Sequence, residues 1–249
     1  PLLRAVEIGD INIAKTLIDH GANINCRDNT QKTPLHWAAT LNQLRIMSLL
    51  MKKDPQAKFA CDHRGSNALH FASGNNQLKA VKLLLKNNVD PNFADNDGVT
   101  ALHIAVSSEN LAIVEHLILH GSNVHQANNL KITPLQSSVC CVMQSDDSTV
   151  YINEEKRIPI INALIRAGGE LNSQDQFGIT PLERAIRNGY PLIAKNLLEK
   201  GYRIVLDEVL MLPKELLIIQ SENLESVHKL KYALESLDDV QNVYVNTEE

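Results

Sequence analysis

The cysteine pattern of this 249-residue chain lacks the spacing of a disulfide or metal framework. Its four cysteines, at positions 26, 61, 140 and 141, form no Cys-x-x-Cys pair and fall at unrelated sites. Disulfide-stapled secreted folds and zinc modules normally show such pairs. The pattern therefore predicts thiols in a reducing compartment, and we expect a cytoplasmic protein, with the nucleus as the alternative.

Charge of one sign and long apolar runs are also missing. The chain has 24 Lys and Arg against 29 Asp and Glu, a net charge of -5, and residues 201–249 hold 4 of the basic and 10 of the acidic side chains. Without a basic field, nucleic acid is not an expected partner. No apolar run approaches the roughly 18 residues of a membrane span, so no membrane contact is expected in this segment.

A catalytic constellation is the third absence. No nucleophile, base and acid stand together, and no glycine-rich phosphate loop or metal-ligand spacing occurs. Of the nine histidines, His36, His70 and His103 follow the same tripeptide pattern, which favours one repeated structural role. We expect no enzyme activity, no cofactor, no metal and no small-molecule substrate.

What the chain does have is a repeat. A cap residue, a small residue or proline, and leucine recur at Thr33-Pro34-Leu35-His36, Asn67-Ala68-Leu69-His70, Thr100-Ala101-Leu102-His103, Thr133-Pro134-Leu135 and Thr180-Pro181-Leu182, with Pro1-Leu2 as a truncated copy. The leucines are spaced by 33, 34, 33, 33 and 47 residues. Such a period is typical of stacked helical hairpins. Because the chain opens inside a copy, we expect a further repeat or cap upstream.

Each copy predicts two short helices and a hairpin. Threonine or asparagine accepts a bond from an unpaired backbone N–H at a helix start, and proline fits the next position. Eight positions after the proline site, Gly9, Asn42, Asn76, Glu109 or Gly189 ends the first helix, since glycine and asparagine tolerate positive φ. The second helix ends at Gly21, Asn88, Gly121, Gly168 or Gly201. An aspartate then opens a hairpin three residues before a glycine, as in Asp62 and Gly65.

These residues resemble the ankyrin repeat over residues 1–203. The resemblance implies a mainly α solenoid of six repeats, at about 1–32, 33–66, 67–99, 100–132, 133–179 and 180–203. It also implies that the repeated histidine hydrogen-bonds around the turn and ties neighbouring repeats together, and that Trp37 and Phe71 lie in the core. The resemblance departs at Lys53-Asp54-Pro55 and at Lys131, which stand where the family has glycines, and we expect irregular hairpins there.

The fifth copy carries an insertion at 140–157. A solvent loop is the simpler interpretation, because long insertions cost little closure entropy. A loop that contacts a partner is the alternative.

The tail follows a different pattern. Val, Ile and Leu are frequent from Arg203 to Ile219, and an apolar stripe at helical spacing runs from Leu224 to Leu237, so residues 204–249 predict a small β-α-β segment. The stretch from Ala233 to Asn246 resembles the C-terminal end of the YebC family of translational activators. We expect this segment to cap the last repeat, since an exposed solenoid end needs a polar cover.

The ankyrin pattern implies one concave strip of hairpin tips and first-helix ends, where the fold does not dictate residue type. In this chain the strip comprises Asn29, Thr30, Lys32, Thr40, Leu41, His63, Arg64, Ser66, Gly74, Asn75, Asn96, Asp97, Val99, Ser107, Ser108, Leu130, Ile132, Phe177, Ile179 and Arg187. Its polar N-terminal half suits a hydrogen-bonding groove for a peptide or loop. The apolar tips of the fifth and sixth copies either form a contact patch or pack against neighbouring hairpins.

The function that this pattern favours is a non-catalytic, monomeric module that binds a partner protein along the strip. Stacked rigid repeats supply a preorganised surface, which lowers the ordering cost of binding. One alternative makes the repeats the targeting arm of a larger effector, adaptor or channel protein. Another takes the tail as a YebC-like regulator of translation or transcription.

Overall fold

The computed structural model describes residues 1–140 and 153–200, together with the backbone of 142–143 and 149–150. The predicted β-α-β segment at 204–249 and the predicted helix end at Gly201 lie outside these residues. Within the described part, the chain is mainly helical, with twelve α-helices and one pair of two-residue strands. It forms two compact units, Pro1–Pro134 and a second beginning at Leu135.

The first unit contains four helix pairs. The first helices of the pairs are α1 (Leu2–Ile8), α3 (Pro34–Thr40), α5 (Ala68–Gly74) and α7 (Ala101–Ser107). The second helices are α2 (Ile11–Asp19), α4 (Leu44–Lys53), α6 (Leu78–Lys86) and α8 (Leu111–Leu119). First helices pack on neighbouring first helices and second helices on second helices. Each pair therefore buries its apolar face against the next pair, as expected for a stack of units too small to fold alone.

The core of this unit is made of the repeated apolar positions. Leu35, Leu69 and Leu102, which follow the cap, are buried, and so are Leu84 and Leu117 of the second helices. The small residues after the cap let the first helices approach closely. Burial of leucine stabilises a fold by about 1.5–3 kcal/mol per side chain, so the recurring leucines hold the stack together.

The predicted helix ends are confirmed. Gly9, Asn42, Asn76, Glu109 and Gly189 all have positive φ, between 55° and 81°. Glu109 adopts this conformation without being glycine or asparagine, which costs roughly 1 kcal/mol. The repeat geometry thus outweighs the local preference of the residue.

The two expected irregularities take different forms. Lys131 adopts a φ of 58° and its N–H donates to the Asn128 carbonyl at 2.9 Å, so its hairpin closes as the glycine-bearing ones do, contrary to the expectation. At the other position the chain continues into a 3-10 helix, Pro55–Phe59, whose first turn is capped by the Asp54 carboxylate through the Gln56 N–H. An extra helical turn replaces the missing glycine there.

The second unit contains the insertion and the last helix pairs. Helix α9 (Pro134–Ser137) is followed by strands β1 (Val142–Met143) and β2 (Thr149–Val150), which pair antiparallel, with Val142 opposite Val150. Next come α10 (Glu154–Arg166), α11 (Pro181–Arg187) and α12 (Pro191–Glu199). Helix α10 begins inside the predicted insertion, because Asn153 caps it through the Lys156 N–H.

Arg157 fixes the start of α10. Its side chain is 1% exposed and donates from Nη1 to the Ser137 and Ser138 carbonyls, at 3.2 and 3.4 Å. Those carbonyls follow the last turn of α9, where the helix leaves acceptors without partners. The C-terminal end of the predicted insertion is therefore packed helix rather than solvent loop.

No helix in the described part of the chain is both long enough and apolar enough to cross a lipid bilayer.

Candidate functional site

Aspartate side chains build the hairpins that carry the predicted strip. The Asp62 carboxylate accepts hydrogen bonds from the Arg64 and Ser66 N–H groups, both at 2.9 Å. Asp28 makes the same pattern, and it also accepts from the Trp37 indole at 2.9 Å. Although burial opposes ionisation of Asp28, its hydrogen bonds lower the pKa of this carboxyl to about 2. These carboxylates accept hydrogen bonds from the backbone of their own hairpins, and the side chains at the hairpin tips face outward.

The tips are joined to each other by backbone hydrogen bonds. The His63 N–H donates to Thr30, the Asn96 N–H to Arg64 and the Asn129 N–H to Asp97, at 3.3, 2.9 and 2.9 Å. The side chains at the same three positions add a second row. His63 Nδ1 donates to the Thr30 carbonyl at 2.9 Å, Asn96 Nδ2 to the His63 carbonyl at 3.3 Å, and Asn129 Nδ2 to the Asn96 carbonyl at 2.9 Å. We call this double row the tip ladder.

A second ladder runs through the repeated histidines. His36 Nδ1 accepts from the Thr33 N–H at 3.0 Å, so its Nε2 carries the proton and donates to the Ser66 carbonyl at 3.1 Å. His70 and His103 make the same bond to the Val99 and Ile132 carbonyls, both at 3.0 Å. Each acceptor directly precedes the next cap. The role implied by the ankyrin resemblance is present at all three histidines.

Burial keeps these rings neutral. It lowers the pKa of His36 and of His103 to about 4, and it lowers that of His70 as well. The protonated ring of His36 is disfavoured for a second reason besides burial. A proton on Nδ1 would point at the Thr33 N–H, and Nδ1 could no longer accept the hydrogen bond from that group. The geometry assigns the histidines a structural role and gives no sign of acid–base chemistry.

In the second unit, glutamine takes this position. Gln136 is 1% exposed, and its Nε2 donates to the Ile179 carbonyl at 3.1 Å and to the Ser173 carbonyl at 3.0 Å. Ile179 directly precedes the cap Thr180, as Ser66 precedes Asn67. The same connection is therefore made by an amide that does not titrate.

The structure brings part of the predicted strip together in one groove of about 450 Å³ in the first unit. Seven residues of the predicted strip line it: Thr30, Lys32, His63, Arg64, Ser66, Gly74 and Asn75. The remaining lining residues are Asp62, His70, Phe71 and Ile104. The tips of two successive hairpins, helix α5 and Ile104 of α7 thus line a single space.

The walls of the groove combine fixed charge with an apolar surface. Lys32 Nζ lies 5.1 Å from the centroid of the Trp37 ring and 4.9 Å from that of Phe71, close enough for cation–π attraction to both. Ser66 is 9% exposed and lies deep in the groove, whereas His63 and Arg64 are exposed. The groove has an apolar floor and a polar rim, the usual composition of a ligand pocket.

The other strip residues lie outside this groove. Most are exposed: Asn29, Leu41, Asn96, Asp97, Ser107, Ser108, Leu130, Phe177 and Arg187. Four are half-buried: Thr40, Val99, Ile132 and Ile179. Phe177 is 73% exposed and Leu130 47% exposed, so neither side chain is buried by a neighbouring hairpin.

Phe71 and Ile104 are the groove residues that sequence reasoning missed. Phe71 was expected in the core with Trp37, yet both side chains are only half-buried. Phe71 stacks edge-on against His36 at 5.2 Å between ring centroids and shows its other side to the groove. The available signal was the spacing, since Phe71 and Ile104 each follow a repeated histidine directly.

Metal binding finds no support in the described residues, where no group of three or more His, Cys, Asp or Glu side chains is arranged to hold an ion.

These features define a stack of helical repeats, and the comparisons with known proteins agree. A family model for ankyrin repeats, in three copies, matches residues 1–59 and 55–128. The chain belongs to the ankyrin repeat family. A solved structure, the ankyrin repeat domain from Acinetobacter baumannii AYE, is similar with a TM-score of 0.67 and 28% identity, over 81% of this chain and 97% of that one.

Curated relatives differ widely in length. The palmitoyltransferase AKR1 of Debaryomyces hansenii is 30% identical over 82% of this chain, which spans only 25% of that protein. The putative ankyrin repeat protein YahD of Escherichia coli is 28% identical over 80% of this chain and 94% of its own length. The neurogenic locus notch homolog protein 1 of Danio rerio is 31% identical, over 49% of this chain and 5% of that protein.

A second family model matches the C-terminal part. It is described as the second and third domain of TACO1/YebC and matches residues 141–247. The resemblance noted at 201–249 is therefore present and begins earlier than the sequence pattern indicated. The match extends over helices α10, α11 and α12.

Proposed function

We propose that this chain is a non-catalytic protein-interaction module that holds a partner protein in the groove between Thr30 and Ile104 and along the adjoining strip. The observation that carries the proposal is the groove itself, which gathers residues that the ankyrin framework leaves free to vary. Membership of a repeat family used as a binding scaffold supports it at the level of binding only.

The rigid surroundings of the groove support a binding role. Both ladders include groove residues, since the Thr30 and Arg64 carbonyls accept from the next hairpin tip and the Ser66 carbonyl accepts from His36 of the preceding helix. A surface fixed in this way loses little conformational entropy when a partner binds.

The repeat boundaries belong to the same proposal. We assign six repeats at about 1–32, 33–66, 67–99, 100–132, 133–179 and 180–203, supported by the six helix pairs of the described residues. We assign residues 204–249 as a separate YebC-like segment, supported by the TACO1/YebC match over 141–247. We propose a monomer in the cytoplasm or nucleus, in keeping with the reduced thiols of Cys26 and Cys61.

Filling the groove tests the function. Gly74 ends α5 with no Cβ, and a Cβ there would lie 3.2 Å from Ile104 Cγ2. Gly74→Gln is expected to place a side chain in the groove and to abolish capture of the partners that proximity labelling and mass spectrometry find with the wild-type chain. Lys79→Gln, on the exposed side of α6, is the matched control. Unchanged partners with a normally folded Gly74→Gln variant would contradict the proposal.

A second candidate is a targeting role within a larger protein. The observation in its favour is that this chain corresponds to a quarter of the length of the Debaryomyces hansenii palmitoyltransferase. Such an arm would use the same groove. The complete open reading frame decides between the two, since a frame without a further domain removes this candidate.

A third candidate is regulation of translation or transcription through the C-terminal part. The TACO1/YebC match at 141–247 favours it, whereas the excess of acidic residues at 201–249 opposes contact with nucleic acid. Retention of the full chain on ribosomes at physiological salt would support this candidate, and its loss into the unbound fraction would remove it.

A further inference from the structure

The groove carries positive charge on a chain that is acidic overall. Lys32 and Arg64 line it, and within the described residues neither has a carboxylate oxygen within 4.0 Å. The acidic lining residue is Asp62, whose side chain is 2% exposed and whose carboxylate accepts from two backbone N–H groups. The groove therefore presents two cationic side chains without an ion-pair partner in the described part of the chain, whereas its one carboxylate is hydrogen-bonded to the backbone of its own hairpin.

Lys32 is held in place before any ligand arrives. Its ammonium lies about 5 Å from two aromatic rings, Trp37 and Phe71, which restrict the long side chain. Since cation–π contact leaves the N–H donors of an ammonium in part unused, Lys32 can still donate to an anion. Arg64 adds an exposed guanidinium, which forms paired hydrogen bonds with carboxylates.

His63 and Asn75 extend the polar rim. Because His63 Nδ1 donates to the Thr30 carbonyl, its Nε2 is the ring atom left toward solvent. Asn75 is exposed, and its Nδ2 donates to the Phe71 carbonyl, which leaves the amide oxygen as an acceptor. This acceptor suits a peptide N–H, a group that a free inorganic anion lacks.

The floor of the groove is apolar. Phe71 is half-buried, Gly74 has no side chain, and Ile104 lies behind Gly74. A ligand that meets both surfaces carries an apolar side chain next to a negative charge. Asp97, on the next hairpin tip, is exposed and does not line the groove.

We propose that this groove recognises an acidic peptide segment of the partner protein, with Asp or Glu carboxylates on Lys32 and Arg64 and an apolar side chain on the floor formed by Phe71, Gly74 and Ile104. The proposal rests on the proposed function and adds the chemistry of the partner. Electrostatic complementarity of this kind selects among partners more than it raises affinity, so the charge pattern defines specificity.

A random peptide library displayed on phage tests the inference with the full chain as the target. Peptides selected on the wild-type protein are expected to be enriched in Asp and Glu beside an apolar residue. On the variant with Lys32→Glu and Arg64→Glu the acidic bias is expected to disappear. The variant with Lys52→Glu and Lys86→Glu, two exposed lysines of α4 and α6, has the same net charge and is expected to retain it.

A selected peptide then gives a measured affinity. We expect the Lys32 and Arg64 reversals to weaken it by at least about tenfold, and the affinity of the wild-type chain to fall as salt screens the charges. Because Lys32 contacts two rings, each variant is checked by circular dichroism. If the glutamate variant fails to fold, Lys32→Gln with Arg64→Gln takes its place, with the same expected loss.

Three results would overturn the inference. The first is that the peptides selected on the wild-type chain show no acidic bias. If these peptides still fail to bind the Gly74→Gln variant, they occupy the groove, and the proposed function remains intact. Another is a wild-type chain that selects no peptide above background. The last is tighter binding of a single-stranded RNA oligonucleotide that depends on Lys32 and Arg64, which would assign the cations to nucleic acid.

Discussion

The third residue after each cap shows how one position is used along the chain. His36, His70 and His103 occupy it in the first unit and Gln136 in the second, and all four donate to the carbonyl that precedes the next cap. Glutamine has no imidazole chemistry, so the bridge at these four positions requires only a donor of the right length. After the last cap, Thr180, the same position holds Glu183, whose carboxylate accepts from the Thr180 N–H. A repeated histidine is here a structural feature.

This equivalence makes acid stability testable through His103→Gln. The pKa of His103 is about 4 in the folded chain, against about 6.5 when unfolded. Above pH 6.5 neither state holds the proton, so the ring adds no pH dependence. Between pH 6.5 and 4 the unfolded chain is protonated first, and the free energy of unfolding falls by up to about 1.4 kcal/mol per pH unit for this ring.

His103→Gln is therefore expected to stay folded at pH 7.5 and to lose less stability on acidification than the wild-type chain. Urea unfolding at pH 7.5, 5.5 and 4.5 measures the difference. His20→Gln, which replaces an exposed ring at the end of α2, serves as the control. Equal acid sensitivity of His103→Gln and the wild-type chain would contradict the assigned role.

The spacing of residues in the repeat predicts which side chains hold the repeats together, but it predicts only some of the side chains that line the groove. The resemblance to the repeat family implies the histidine bridges, because each donor and its acceptor occupy the same two positions of successive copies, 29 or 30 residues apart. The contact of Lys32 with Phe71 depends on how close two first helices approach, which no local pattern encodes. For this reason Lys32 was assigned to the strip from its sequence, whereas Phe71 was wrongly assigned to the core.

At the scale of the elements, the tip ladder connects hairpins that have no regular strand content. Gly65 permits this connection. Its φ is +79°, and a Cβ there would overlap Asn96 Oδ1 and lie 3.0 Å from the Asn96 backbone nitrogen. The glycine is thus required by the approach of the neighbouring hairpin as well as by its own backbone conformation.

Gly65→Ala is expected to destabilise the chain more than Gly121→Ala. Gly121 has a φ of +86° with nothing within 4 Å of a Cβ, so alanine there costs only the backbone strain of about 1–2 kcal/mol. At Gly65 the displaced hairpin adds about 1–3 kcal/mol. Effects on the unfolded chain are shared and cancel in the comparison. Urea unfolding of both variants measures it, and equal losses would contradict the role of the ladder.

The observed helix boundaries agree with those predicted from the sequence where a cap residue and a glycine mark the helix. They differ from the prediction where a contact between residues distant in sequence stabilises the helix end. Helix α10 starts at Glu154, within the stretch predicted as insertion, although Asn153 offers an ordinary cap signal. Beside this cap, buried Arg157 holds the first turn of α10 in place by donating to the Ser137 and Ser138 carbonyls at the end of α9. A charged run such as Glu154-Glu155-Lys156-Arg157 normally indicates a solvated surface, so the burial of one member had no signature in the sequence.

At the scale of the whole molecule, the repeat pattern predicted the class of fold, and the sequence marked the tail as different. The TACO1/YebC match adds that the difference begins near residue 141, inside the part that folds as helix pairs. The helix-pair pattern and the family resemblance therefore overlap between 153 and 200. A boundary drawn from periodicity alone falls at 203, because periodicity detects the helix pairs and is insensitive to the second resemblance.

Repeat proteins are stabilised by contacts between neighbouring units, so a sufficient run of units folds without the rest. The first unit, Pro1–Pro134, holds four helix pairs together with the groove lined by Thr30 through Ile104. We expect a fragment of residues 1–134 to keep its helical circular dichroism and to unfold cooperatively in urea. A fragment of residues 68–134 retains two pairs, fewer than the roughly three repeats that such stacks need, and is expected to be unfolded. If the long fragment lacks a cooperative transition, its helix pairs depend on residues beyond 134. If the short one folds, stability resides in single pairs rather than in their stacking.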